Sequence, residues 1–110
     1  MSNYDILSVK DKVTYWDIKT SKKTAKQIEK LPEKIKTQLR LLAKDLKHYG
    51  PIPGTGWKNY GKLNGTGKRD LRHCHLSKGK PTYVSCWEVL DKKIKLIEVY
   101  YVGTHEKAPY

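Results

Sequence analysis

The sequence predicts a single α+β domain in which an N-terminal strand and an antiparallel helical hairpin precede a three-stranded antiparallel meander, with the helices packed on one face of the sheet. Three observations carry this. Apolar residues recur at helical steps from Ala25 to Leu46; three β-rich runs follow Arg69 at hairpin spacing; and 110 residues can build one core but hardly two.

The elements follow in order. Residues 1–12 are polar and weakly patterned and read as a flexible extension of the single domain, 1–110. Val13 to Ile18 is rich in β-branched and aromatic residues and reads as a strand. Thr20 and Ser21 are suitable N-caps for a helix whose apolar positions are Ala25, Ile28 and Leu31. Pro32 interrupts it and fits the first turn of a second helix, where Glu33 suits the N-terminal dipole. Ile35, Leu39, Leu42 and Leu46 continue at steps of four, three and four, and Gly50-Pro51 supplies the stop. So short a link between two helices predicts a hairpin. Ile52 to Gly67 holds five Gly and Pro53 and reads as a loop, with a strand stub at Gly61 to Leu63. Arg69 to Leu76, Thr82 to Leu90 and Ile94 to Val102 are the three strands of the meander. Gly103 to Tyr110 reads as a tail beyond the last of them.

Charge narrows the range of partners. The chain has 23 Lys and Arg against 11 Asp and Glu, a formal net charge of +12. Such a surface favours polyanions. Apolar residues make up only 37%, yet three Trp and eight Tyr, set in periodic segments, argue against a disordered basic tail. No run approaches the ~18–20 apolar residues of a membrane span, and residues 1–12 lack the apolar stretch of an export signal, so the expected location is the cytoplasm. Cys74 and Cys86 are too few for a disulfide framework and lack CxxC spacing, so both are expected to be reduced and packed, with no metal and no cofactor.

Two groups of residues bear on chemistry. Between Trp57 and Lys80 lie seven basic residues (Lys58, Lys62, Lys68, Arg69, Arg72, Lys78 and Lys80) against the single acid Asp70, with Trp57 and Tyr60 interleaved. Cations that neutralise phosphates beside aromatic faces that stack on bases suit single-stranded nucleic acid, above all RNA. The second group is histidine. Residues two apart in a strand share a face, so His73 and His75 point together, with Arg72 and Cys74 opposite. His48, in the last turn of the second helix, suits the terminal carbonyls instead. Metal-independent RNA cleavage needs a base for the 2′-hydroxyl, an acid for the leaving oxygen and cations near the phosphorane, and imidazole, with a pKa near ~6.5, serves either proton-transfer role. No acidic pair, P-loop, GxSxG or HExxH motif offers another chemistry.

The ending Val99-Tyr100-Tyr101-Val102-Gly103-Thr104-His105, followed at five residues by Tyr110, resembles the closing motif of the RelE/ParE superfamily of bacterial toxins. The basic helical hairpin, the Lys62-Leu63-Asn64-Gly65 segment, the strand with two same-face basic residues and the hairpin into an aromatic strand occur in the family's order from about Val13 to Tyr110. The Gly103-Thr104-His105 ending and His75 are most similar to the YafQ-like branch. The resemblance implies a RelE-like fold and the toxin of a type II toxin–antitoxin system, a ribosome-dependent mRNA endonuclease. Its implied partners are mRNA in the ribosomal A site, ribosomal RNA and a cognate acidic antitoxin.

By the same resemblance His73 and His75 fall where RelE-type toxins place two catalytic lysines, and His105 and Tyr110 match the basic and aromatic positions of the closing motif. His105 or His75 is then the general acid, and Tyr110 or the other His assists the base. Lys62, Arg69, Arg72, Lys78 and Lys80 are the implied RNA and phosphate contacts. One departure is the third strand, where these enzymes carry an Arg and this chain has Val84, leaving Lys78 or Lys80 to supply the charge. The ParE-like relatives, which inhibit DNA gyrase, and an inactive nucleic-acid-binding module are the alternatives; three imidazoles favour RNA cleavage, because inhibition by binding needs no proton transfer.

Overall fold

The computed structural model describes residues 15–110, so the expected extension and the first two residues of the expected first strand lie outside the described residues. The elements are β1 (Asp17–Thr20), α1 (Lys22–Glu29), α2 (Glu33–Tyr49), β2 (Lys58–Lys62), β3 (Leu71–His75), β4 (Tyr83–Asp91), β5 (Leu96–Thr104) and a 3₁₀ turn, His105–Lys107.

Ser21 opens α1 as its N-cap, with its Oγ accepting from the Thr24 amide at 3.2 Å. The buried face of α1 is turned one residue from the predicted one: Ala25 is exposed, and Thr24, at 0% exposure, takes its place above Ile28 and Leu31. Threonine is tolerated there because its hydroxyl accepts from Ser21 Oγ at 3.2 Å. Pro32 stands one position earlier than predicted, as the N-cap of α2 with φ −57° and ψ 151°, an extended residue that separates the helices. Ile35, Leu39, Leu42 and Leu46 are all buried, and they meet Cys74, Leu76, Trp87, Ile97, Val99 and Val102 of the sheet to form the core. Gly50 ends α2 at φ +86°, and a Cβ there would lie 2.7 Å from Trp16 Nε1, so both backbone and packing demand glycine.

The sheet has five strands in the order β1-β5-β4-β3-β2. The antiparallel meander is thus one strand longer than predicted, because the Gly-rich segment forms β2 and pairs with β3. An edge strand tolerates such a sequence: the register shifts between Lys58 and Gly61, and Asn59 adopts φ 55°. At the other edge β1 lies parallel to β5, with Asp17 opposite Leu96. A second irregularity shapes the face away from the helices. Ile97, Val99 and Val102 all enter the core, a step of two and then three, because Trp87 pairs with Val99 and Cys86 with Tyr101. Tyr100 is the extra residue of this bulge.

Candidate active site on the open sheet face

Residues opposed across a ladder share a face. His73 lies opposite Cys86, which lies opposite Tyr101; His75 lies opposite Val84, which lies opposite Gly103. The two imidazoles therefore stand on the open side of the sheet, while Arg72, Cys74, Ser85 and Trp87 belong to the helix side. Tyr100 is hydrogen-bonded to Cys86 and Tyr101 pairs with it, so the bulge brings two consecutive tyrosines to Cys86, the ladder partner of His73. Sequence reasoning missed this pair. The signal was available in the broken alternation of Ile97, Val99 and Val102, since three core residues at steps of two and three require a bulge.

The predicted tail is structured. β5 runs on to Thr104, the His105 amide donates to the Thr82 carbonyl at 2.8 Å, and the 3₁₀ turn brings the remaining residues back over the sheet. The His105 ring stands 5.4 Å from that of His75 and 5.9 Å from that of Tyr110, edge-on in both cases. Tyr110 in turn lies 4.7 Å from His73. Four side chains from β3, the turn and residue 110 thus close on one patch, above Val84 and Cys86 at 0% exposure.

Burial lowers the pKa of His73 below its ordinary value, and the charges that His75 and His105 would carry lower it further. His75 is lowered by burial and then by His105. Both rings are thus biased toward the neutral, proton-accepting form. The Nδ1 of His73 is buried without a hydrogen-bond partner, which penalises an imidazolium that needs acceptors at both nitrogens. Its Nε2 lies toward Gly61, 3.4 Å from where a Cβ would stand. Burial raises the phenol of Tyr110, which stays protonated at neutral pH.

The basic residues divide. Lys78 and Lys80 are exposed in the turn between β3 and β4, beside the histidine end of β3, and Lys58 lies opposite His75. Arg69 is engaged by Glu88, with Nη2 to Oε1 at 2.9 Å and Nε to Oε2 at 3.2 Å. Arg72 requires a correction as a phosphate contact. It faces the helix side, where its Nε and Nη2 hold both oxygens of Asp70 at 2.8 and 2.9 Å and its Nη1 donates to Tyr60 Oη at 2.8 Å. Lys62 pairs with Arg72 and adds to the field on Asp70, so it too lies away from the imidazoles.

A groove of about 720 Å³ runs between α2 and the ends of β2 and β3, walled by Leu41, Tyr49, Trp57 and Lys78, and it meets the imidazole cluster only at His75. Among the described residues no three His, Cys, Asp or Glu side chains are grouped to hold a metal ion, and no helix is long and apolar enough to cross a membrane.

No family model matches the sequence, and no curated protein matches it significantly. Among solved structures, the chain is similar to a chain of the archaeal RelE–RelB complex from Pyrococcus horikoshii OT3. The two share 26% identity at a TM-score of 0.66, over 86% of this chain and 99% of that one. Together with the motifs that run in order from Val13 to Tyr110, this match identifies the chain's architecture as the RelE-like fold of the RelE/ParE toxin superfamily.

Proposed function

We propose that the chain is the toxin of a type II toxin–antitoxin pair, a ribosome-dependent mRNA endonuclease with the ending of the YafQ-like branch. The observation that carries the reading is the convergence of His73, His75, His105 and Tyr110 on one open sheet face, with Lys58, Lys78 and Lys80 at its margin. Fold is shared with relatives that do not cut RNA, so the site must decide.

In this mechanism a neutral imidazole, His73 or His75, takes the proton of the 2′-hydroxyl. The freed oxygen attacks the adjacent phosphorus, and the bond from phosphorus to the 5′-oxygen breaks. His105, whose ring is the exposed one of the three, gives a proton to that oxygen. The products are a 2′,3′-cyclic phosphate and a 5′-hydroxyl, and no co-reactant is consumed. The lysines offset the charge that develops on the phosphorane. Tyr110, at 48% exposure, presents its outer face for base stacking. Arg72 and Lys62 leave this set, since Asp70 holds the Arg72 guanidinium and Lys62 faces away, whereas Arg69, 60% exposed beside Glu88, stays a candidate phosphate contact.

Two kinds of polyanion fit the net charge of +12: RNA of the ribosome and an acidic antitoxin. The solved relative, determined as a complex with RelB, supports the second. The test expresses wild type, His75→Ala, His105→Ala and Tyr110→Ala in bacteria and maps mRNA 5′ ends by primer extension. Wild type is expected to arrest growth with new cuts in codon register, and each substitution to relieve both. Arrest without such cuts overturns the reading, and a DNA-damage response in their place points to gyrase.

A further inference from the structure

We infer that Tyr101 is a positioning residue for His105: its hydroxyl and the Thr82 carbonyl hold the two sides of the Thr104–His105 peptide and so aim the imidazole at His75. The inference rests on the proposed cleavage for its activity readout alone; its geometry is independent of it.

The Tyr101 hydroxyl donates to the Thr104 carbonyl at 2.7 Å. That carbonyl belongs to the same planar unit as the His105 amide, which donates to Thr82 at 2.8 Å. A peptide held at both its oxygen and its hydrogen cannot rotate, and the position of the His105 Cα is fixed with it. This peptide follows the last ladder pair, Thr104 with Tyr83, and the chain leaves β5 for the 3₁₀ turn directly beyond it. The His105 ring reaches His75 at 5.4 Å from that fixed origin.

Gly103 shows what the arrangement requires. Its φ lies outside the left-handed region, so backbone strain does not call for glycine. A Cβ would instead fall 2.6 Å from Tyr101 Oη and 2.9 Å from Cζ, because the phenol lies along the strand over Gly103 to reach Thr104. The Gly of the closing motif is thus the floor on which the positioning phenol rests. Burial raises the Tyr101 pKa, so the hydroxyl keeps the proton it donates.

The experiment compares wild type, Tyr101→Phe, His105→Ala and the double substitution in ribosome-dependent mRNA cleavage, with thermal melting as the control for folding. Tyr101→Phe keeps the ring and removes only the donor. It is expected to lower kcat roughly tenfold with KM held, since misplacement of a reacting group by a fraction of an ångström acts on the chemical step, and to cost nothing further in the His105→Ala background. An equal loss in both backgrounds overturns the inference. The second readout is NMR of the imidazole rings: cross-relaxation between His105 and His75 is expected in wild type and lost in Tyr101→Phe and Gly103→Ala. Unchanged ring signals in Tyr101→Phe overturn the inference even if wild type proves to cut no RNA, an outcome that would refute only the proposed function.

Discussion

The phenol of Tyr110 lies against the imidazole of His73, the ring centroids 4.7 Å apart and the planes 33° from parallel. The contact excludes water from an imidazole whose Nδ1 has no partner, and this is one source of the burial that lowers its pKa. Tyr110→Ala should therefore raise the His73 pKa toward its ordinary value, while Tyr110→Phe, which keeps the ring, should leave it low. An NMR titration of the His73 ring measures both; equal pKa values in the two variants would refute the shielding.

Stability should fall as pH drops below about 6.5. His73 and His75 have folded pKa values below their unfolded one, so in this range the unfolded chain binds more protons than the native chain. The contribution is complete above the unfolded pKa and declines as pH falls from about 6.5 through the lowered folded values. Denaturant midpoints at pH 8 and pH 5.5 test this, and His73→Phe should flatten the difference.

Arg72 and Asp70 form a structural pair. Their side chains are 11% and 14% exposed, and the geometry is bidentate. Arg72→Ala leaves Asp70 under little water and without its partner, at a cost of about 2 kcal/mol, below the figure for a fully buried pair because some solvent remains. Urea denaturation should show this loss, and RNA cleavage per folded molecule should be unchanged.

Both thiols should be inert in the native protein. Burial pushes Cys74 and Cys86 up to about 12, and neither is exposed. Thiolate is the reactive form. A disulfide reagent at pH 8 should titrate no thiol in the folded chain and two in guanidinium; reaction of Cys86 in the native state would mean that the imidazole layer above it opens readily.

Trp87 is the largest side chain of the core between the helices and the sheet. It is 0% exposed, stacks on Tyr60 at 6.1 Å and donates from Nε1 to the Pro51 carbonyl at 3.3 Å. Trp87→Ala should destabilise by roughly 3–5 kcal/mol, with the larger values expected if the site cannot collapse. Thermal melting provides the measurement.

Ile35, Leu39, Leu42 and Leu46, Ser21, Gly50 and the shared face of His73 and His75 were all legible in the sequence, because helical period, caps and strand alternation are properties of neighbours in the chain. The Asp70–Arg72 pair was legible in principle as well, being only two residues apart in the chain, with Asp70 just ahead of β3. What the tertiary structure alone decided joins residues with no local trace of each other. A β3 ladder makes a strand of Lys58–Lys62 within the Gly-rich stretch from Ile52 to Gly67, and β5 receives β1 in parallel across some eighty residues of chain. Tyr110 gains its place over His73, and His105 its aim at His75, from hydrogen bonds and ring contacts made only once the sheet exists. Residue types indicate which chemistry is available; ladder register and the held peptide after Thr104 determine which of those residues meet.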